Sequence, residues 1–266
     1  MDTCTIEAVE EKAIETPIEG TPYRLVEANG CRKLMVKGDD RYSHGEMQLS
    51  MPDGTPDGLM SNYLGTMLQA LPLAPRLDDI LLIGLGCGEQ TKFLYRRLPA
   101  TRLVTVEIDP YIVAIARSYF CVPPDDERHS VVIADGRDYI EMHPNSCDVL
   151  LCDGYDQSFT IPDSLAGEEF YRSCYLALRP GGVMALNKLH SRSHEWWTDH
   201  LQMLGRIFAH GLQVRVDGAQ SVILLFKNAP DDCSTLMQRA QRLEGGLELG
   251  LPKFIDHFEL MRQRAR

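Results

Sequence analysis

The hydrophobic positions of this 266-residue chain change their pattern near position 79. Beyond it, short apolar runs ("ILLIG", "RLVTVEI", "SVVIAD", "CDVLLCD" and "GVMALN") alternate with stretches of helical periodicity over 89–97, 110–119, 136–142 and 164–178. A strand that is apolar throughout is covered on both faces, and such strands separated by helices predict a parallel sheet. "RPGG" at 179–182 predicts the glycine stop of a long amphipathic helix before the fifth strand. Two more strands, "LQVRV" and "SVILLFK", are joined by "DGAQ", spacing that predicts an antiparallel hairpin at the sheet edge. Residues 231–266 read as helical.

Upstream the period shortens. "YRLVEA", "RKLMVKG" and "EMQLS" read as strands divided by Asn-Gly and Gly-Asp-Asp turn signals. "MPDGTPDG" (51–58) has loop chemistry, and "LMSNYLGTMLQAL" suits a helix leading to Pro72. The predicted architecture is an open α/β sheet with a small β-rich N-terminal domain. Its expected divisions are a flexible N-terminus (1–20), the β-rich domain with its linking helix (21–76), a Rossmann-like domain (77–228) and a helical C-terminal extension (229–266).

Charge narrows the function classes. A formal net charge of −11 argues against a nucleic-acid partner, because phosphate backbones are bound by Lys and Arg. "RQRAR" at the C-terminus is too short to change that. No apolar run approaches the roughly 20 residues of a membrane span. The acidic N-terminus resembles neither a secretory signal nor a mitochondrial presequence, so the cytoplasm is the expected compartment. The eight cysteines include no C-x-x-C pair, which predicts reduced thiols rather than a zinc ribbon or a disulfide scaffold.

The candidate chemistry begins at "ILLIGLGCGEQTKFL" (80–94), where Gly84, Gly86 and Gly88 follow the first strand. In open α/β sheets the ligand lies at the carboxyl ends of the strands, near the reversal of strand order. A dinucleotide fingerprint needs a third glycine at 89, which is Glu89, and no Gly-Lys-Ser/Thr sequence follows to form a P-loop. Glu89 also sets a negative charge at the helix start, where a pyrophosphate would sit. An uncharged or cationic ligand tolerates it. G-x-G-x-G fits a turn that holds S-adenosylmethionine or its decarboxylated relative. Two acids at strand ends complete the pattern: Glu107 in "VTVEIDP" for the ribose hydroxyls, and Asp135, followed by Gly136, in "VVIADGRDY" for the adenine amine.

These segments, with "LLCDGYDQ" and "FYRSCYLALRPGG" following in order, resemble the spermidine synthase (polyamine aminopropyltransferase) superfamily. "FCVPPDDERHSVVIADGRDY" resembles its bacterial spermidine-synthase-like branch, and "HGEMQ" (44–48) resembles the family's D-G-x-x-Q. The resemblance implies a class I methyltransferase-type sheet and a nucleoside-binding domain over 77–228. It also implies transfer of an aminopropyl group from decarboxylated S-adenosylmethionine to a small-molecule amine, no metal, and a commonly dimeric state. Asp153 and Asp156 of "DGYD" take the places of the family's D-x-x-D pair, Asp153 as acceptor of the amine's proton. Gln48 is implied to reach the nucleoside.

Two departures keep other functions open. The family's G-G-G-D-G-G places an Asp on the donor's free amine, and here that position is Cys87. Its Y-H-E segment is replaced by "SNYLGTML". A methyltransferase using S-adenosylmethionine on a small molecule, or a non-catalytic nucleoside-binding protein, also fits these residues. The histidines of "LHSRSHEWWTDH" do not form the H-E-x-x-H of a zinc protease. They predict a helix start with Trp196 and Trp197 packed inward.

Overall fold

A computed structural model of the chain describes residues 13–40, 43–50, 59, 61–189, 193–217 and 220–264. The loop signal at 51–58, His190, the start of the expected flexible N-terminus and the last two residues of "RQRAR" lie outside the described residues. Four strands form a first, antiparallel sheet in sequence order: β1 (Ile14–Pro17), β2 (Tyr23–Ala28), β3 (Cys31–Val36) and β4 (Ser43–Gln48). β1 falls inside the segment expected to be loose. All four of its residues are exposed, so no burial pattern marks it in the sequence, and backbone pairing with β2 holds it.

The second sheet has seven strands: β5 (Asp79–Ile83), β6 (Arg102–Glu107), β7 (His129–Ile133), β8 (Cys147–Cys152), β9 (Leu178–Leu189), β10 (His210–Asp217) and β11 (Gln220–Phe226). Their spatial order is β10-β11-β9-β8-β5-β6-β7, with β5 to β9 parallel and the β10–β11 hairpin antiparallel at one edge. The chain winds outward from β5 to β7 and then crosses to β8 on the other side. Strand order therefore reverses between β5 and β8. Eight helices are described: α1 (Asn62–Leu68), α2 (Glu89–Arg97), α3 (Pro110–Tyr119), α4 (Gly136–Met142), α5 (Glu168–Ala177), α6 (His194–Ile207), α7 (Cys233–Leu247) and α8 (Leu251–Arg264). None among the described residues is long and apolar enough to cross a membrane.

Strand alternation divides each apolar run between two cores. Ile80 and Leu82 of β5 face α1, α2, α7 and α8, where Leu94, Leu236 and Phe258 are buried. Leu81 and Ile83 face α4, α5 and α6, against Ile140, Phe170 and Trp197. A third cluster joins the first sheet to the second: Tyr23, Leu34 and Met47 pack with Leu85 and Cys87 of the glycine turn and with Ile112 and Phe120 of α3 and its end.

"RPGG" behaves differently from the expected helix stop. α5 ends at Ala177 and β9 begins at once. Leu178 pairs with Cys147, but the next β8 partner, Val149, pairs with Val183. The four residues Arg179–Pro180–Gly181–Gly182 thus stand opposite the single Asp148, a bulge in β9 rather than a helix cap. The expected helix before Pro72 is also shorter, stopping at Leu68, and the proline enters a 3-10 turn over Leu71–Leu73.

Candidate active site

At the reversal of strand order lies a cavity of about 820 Å³, walled by the carboxyl ends of β5, β6 and β8, by β4 and by α1. The glycine turn forms its floor by letting chain segments approach closely. A Cβ on Gly84 would stand 2.5 Å from the Asp153 carbonyl oxygen, and one on Gly86 would stand 2.4 Å from that of His44. Both positions also have positive φ, which a side chain disfavours. The Cys87 amide donates to the His44 carbonyl at 3.0 Å, pinning β4 over the turn. Gly88 caps α2 and stands against Val122, outside the cavity wall.

Glu107 and Asp135, at the carboxyl ends of β6 and β7, both line the cavity. Glu107 accepts from the backbone amides of Leu85 and Asp109, each at 2.9 Å. That fixes its carboxylate beside the turn and leaves lone pairs for two hydroxyls. Burial is the main cause raising its pKa, and these amide bonds oppose it. Asp135 caps α4 through the Arg137 amide. Gly136 lines the wall beside it, where a Cβ would meet Ile83 at 2.8 Å.

Asp153 sits at the end of β8 and is half-buried. The Tyr63 hydroxyl donates to its Oδ2 at 3.1 Å, and Asn187 Nδ2 donates to its Oδ1 at 2.6 Å. Gln220 Nε2 donates to Asn187 Oδ1 at 2.9 Å, which orients that amide. Desolvation pushes the Asp153 pKa up to about 6, against the pull of its two donors. Asp156 is exposed at the cavity mouth, where its Oδ1 accepts from the amides of Ser158 and Thr160 at 2.8 and 2.9 Å. Those bonds order the loop.

Gln48 is a correction. It lies at the far end of β4, exposed, and is not among the cavity's lining residues. β4 enters the cavity at its opening residues, Ser43, His44 and Gly45, so the strand's direction carries Gln48 away.

Sequence reasoning missed several residues of the wall. Tyr63 stands within "SNYLGTML", a stretch whose sequence predicts a helix but marks no site residue. Asn187 ends the apolar run "GVMALN", the same signal that exposed Glu107 and Asp135, and was passed over because it is uncharged. Glu89, read as an obstacle to phosphate, is only 8% exposed and lines the cavity, with Oε1 accepting from the Glu46 amide at 2.9 Å. Cys87 is buried, and burial raises its thiol pKa well above the ordinary range, reinforced by nearby Glu89. It stays neutral. Among the described residues the cavity wall therefore carries seven carboxylates (Asp40, Glu89, Glu107, Asp109, Asp135, Asp153 and Asp156) against one lysine, Lys33. No grouping of His, Cys, Asp and Glu suited to a metal occurs among the described residues.

The tryptophans divide: Trp197 is buried, while half-buried Trp196 stacks on His200 with ring centroids 4.4 Å apart.

Comparison with known proteins agrees with this geometry. The polyamine aminopropyltransferase of Chromobacterium violaceum is 30% identical over 265 residues, covering 96% of each chain. A spermidine synthase solved with the transition-state analogue AdoDATO superposes with a TM-score of 0.63 at 20% identity, over 82% of this chain and 75% of that one, a likeness of fold. Human methyltransferase-like protein 13, solved with SAH, gives 0.62 at 25% identity, over 71% of this chain and 93% of that one. The model of the spermine/spermidine synthase domain matches residues 65–211, so the chain belongs to the spermine/spermidine synthase family.

Proposed function

We propose that this transferase moves an aminopropyl group from decarboxylated S-adenosylmethionine to a diamine or related small-molecule amine. The observation that carries the reading is the charge of the cavity wall, seven carboxylates against one lysine among the described residues. The donor has a sulfonium and an ammonium, and the acceptor is an ammonium at neutral pH. An anionic cleft concentrates such cations and rejects phosphates.

The reaction is an in-line displacement. The acceptor nitrogen attacks the carbon beside the sulfonium, the N–C bond forms as the C–S bond breaks, and a neutral thioether leaves. The barrier to prepare is deprotonation. With an amine pKa of about 10.4, only about one molecule in 10³ to 10⁴ is neutral at pH 7, a cost of about 4–5 kcal/mol. Asp153, with its pKa near 6, is ionised at neutral pH yet basic enough to accept that proton as nitrogen commits to carbon. Tyr63, kept protonated by burial and the nearby Asp153 and Glu89 charges, and Asn187 hold the carboxylate in place. Asp156 anchors the loop and adds negative charge at the mouth. Glu89 supplies the anionic contact for the donor's amine that neutral Cys87 lacks.

One observation favours a second reading. The neutral Cys87 thiol leaves room for the amino-acid end of ordinary S-adenosylmethionine, and methyl transfer to a small molecule would then follow. Calorimetry against both sulfonium nucleosides separates the two. Tighter binding of the decarboxylated form, with turnover on an amine panel, supports aminopropyl transfer, whereas preference for S-adenosylmethionine overturns it. Binding without turnover on any amine would leave a non-catalytic nucleoside-binding protein.

The nucleoside acid is tested separately. Glu107→Ala is expected to weaken binding of the thioether nucleoside product by about 1.5–3 kcal/mol, the range for a hydrogen bond to a charged group. A dissociation constant equal to the wild type's, with the fold intact by circular dichroism, would remove Glu107 from the site.

A further inference from the structure

Behind the acidic cavity, on the opposite face of the sheet, lies a smaller one of about 310 Å³ with the reverse polarity. Consecutive strand residues point to opposite faces. Asn187 of β9 borders the acidic cavity, and its neighbour Lys188 borders the second. Register carries the row outward, since Lys188 pairs with Ser221 of β11 and Ser221 with Arg215 of β10. The first turns of α6 close the other side with His194, Trp197 and Thr198.

One buried donor in this cavity lacks an acceptor, and a cation stands beside it. Lys188 is only 7% exposed. Among the described residues its ammonium has no hydrogen-bond or ion-pair partner, and it stands 5.0 Å from the centroid of the Trp197 ring. Burial lowers its pKa, with no neighbouring carboxylate to oppose the shift. The Trp197 indole N–H is buried without a hydrogen-bond partner. A buried N–H with no acceptor is costly, and the ammonium beside it has no counter-charge among the described residues. An anion between them would satisfy both. Arg215 brings a second cation from the exposed edge strand, and the N-terminal end of the 14-residue α6 adds a partial positive charge. Glu195, in that same turn, is exposed and does not line the cavity.

We propose that this cavity binds a small oxyanion of the phosphate class, free phosphate or a compact phosphomonoester, through Lys188, Arg215 and the Trp197 N–H. Two cations call for two negative charges, one more than a single carboxylate carries. A dianion with three or four terminal oxygens matches them. The site is independent of which group the enzyme transfers.

The chain has two tryptophans, Trp196 and Trp197, so intrinsic fluorescence reports directly on the cavity. Titration of the whole protein with inorganic phosphate, at constant ionic strength and with chloride as control, is expected to give a saturable change with a midpoint of about 1 mM or tighter. Lys188→Met should raise that midpoint at least about tenfold, the scale of a lost charge-assisted hydrogen bond. Arg215→Gln, at an exposed position, should raise it about threefold or more and carries the test if the lysine variant fails to fold. A parallel titration with glycerol phosphate distinguishes the sources: a tighter midpoint identifies the monoester, an equal or weaker one free phosphate. Absence of saturation up to about 50 mM phosphate, or wild-type midpoints in the folded variants, overturns the proposal.

Discussion

Asp153→Asn is expected to lower turnover by about 10² to 10⁴, the contribution of a positioned general base, while leaving affinity for the thioether nucleoside nearly unchanged. The substitution keeps the side chain's size and one acceptor oxygen. It removes the basicity and the charge. Turnover should recover partly at pH 9–10, where an amine of pKa about 10.4 supplies its own neutral form. Equal rates for both proteins at neutral pH would remove Asp153 from the chemistry. A large loss without alkaline recovery would assign it to binding the ammonium or ordering the loop.

The same residue links activity to pH and to stability. Its carboxyl titrates near 6 in the folded protein and near 3.9 in an unfolded chain. The raised value means that the fold prefers the protonated form. The associated stability is present below the unfolded pKa and is lost as pH rises through about 6, by at most about 3 kcal/mol for a shift near two units. The free enzyme's kcat/KM should therefore fall about tenfold per pH unit below 6 from this group, added to the effect of amine protonation. The Asn variant escapes the charge penalty but presents an amide to one of its two donors, Tyr63 or Asn187. With about 1–1.5 kcal/mol lost there, a net gain of about 1–2 kcal/mol above pH 7 is expected in a denaturant titration of the ligand-free protein. A catalytically crippled variant more stable than its parent would show that Asp153 is retained for function.

Most of the larger sheet was legible because its strands are apolar on both faces and its helices carry apolar residues at a 3.6 period. α2, α3 and α4 start within a residue of a glycine or an aspartate cap, a signal local in sequence. Legibility failed where local pattern did not decide the structure. β1 has no buried face, and "RPGG" serves a bulge whose cause lies in its pairing with β8. In the site, acids at strand ends could be read directly, since the parallel strands β5 to β9 send their carboxyl ends to one side of the sheet. Gln48 was assigned by resemblance alone, and the direction of β4 takes it elsewhere. Tyr63 and Asn187 act only through Asp153, 90 and 34 residues away. No single stretch contains that relation.

Glu89→Gln tests which carboxylate holds the donor's ammonium. Three observations converge on this residue. It is buried in the cavity wall; its Oε1 is fixed by the Glu46 amide; and its charge, like that of Asp153, bears on the Tyr63 hydroxyl. The neighbouring Cys87 remains a neutral thiol. A purely structural role, favouring the start of α2 by its charge and holding β4 through the Glu46 amide, would survive as Gln within about 1 kcal/mol. A paired ammonium would not, because removing one partner of a buried charge pair costs about 2–5 kcal/mol. The expected outcome is a loss of kcat/KM for decarboxylated S-adenosylmethionine of about 30-fold to several thousandfold. Affinity for the thioether nucleoside product, which lacks the aliphatic ammonium, should stay within about threefold of the wild type. Equal losses for donor and product would mean that Glu89 shapes the pocket without touching the cation. No loss for either would return the donor's amine to another acid of the wall, with Asp153 the next to test by the same comparison.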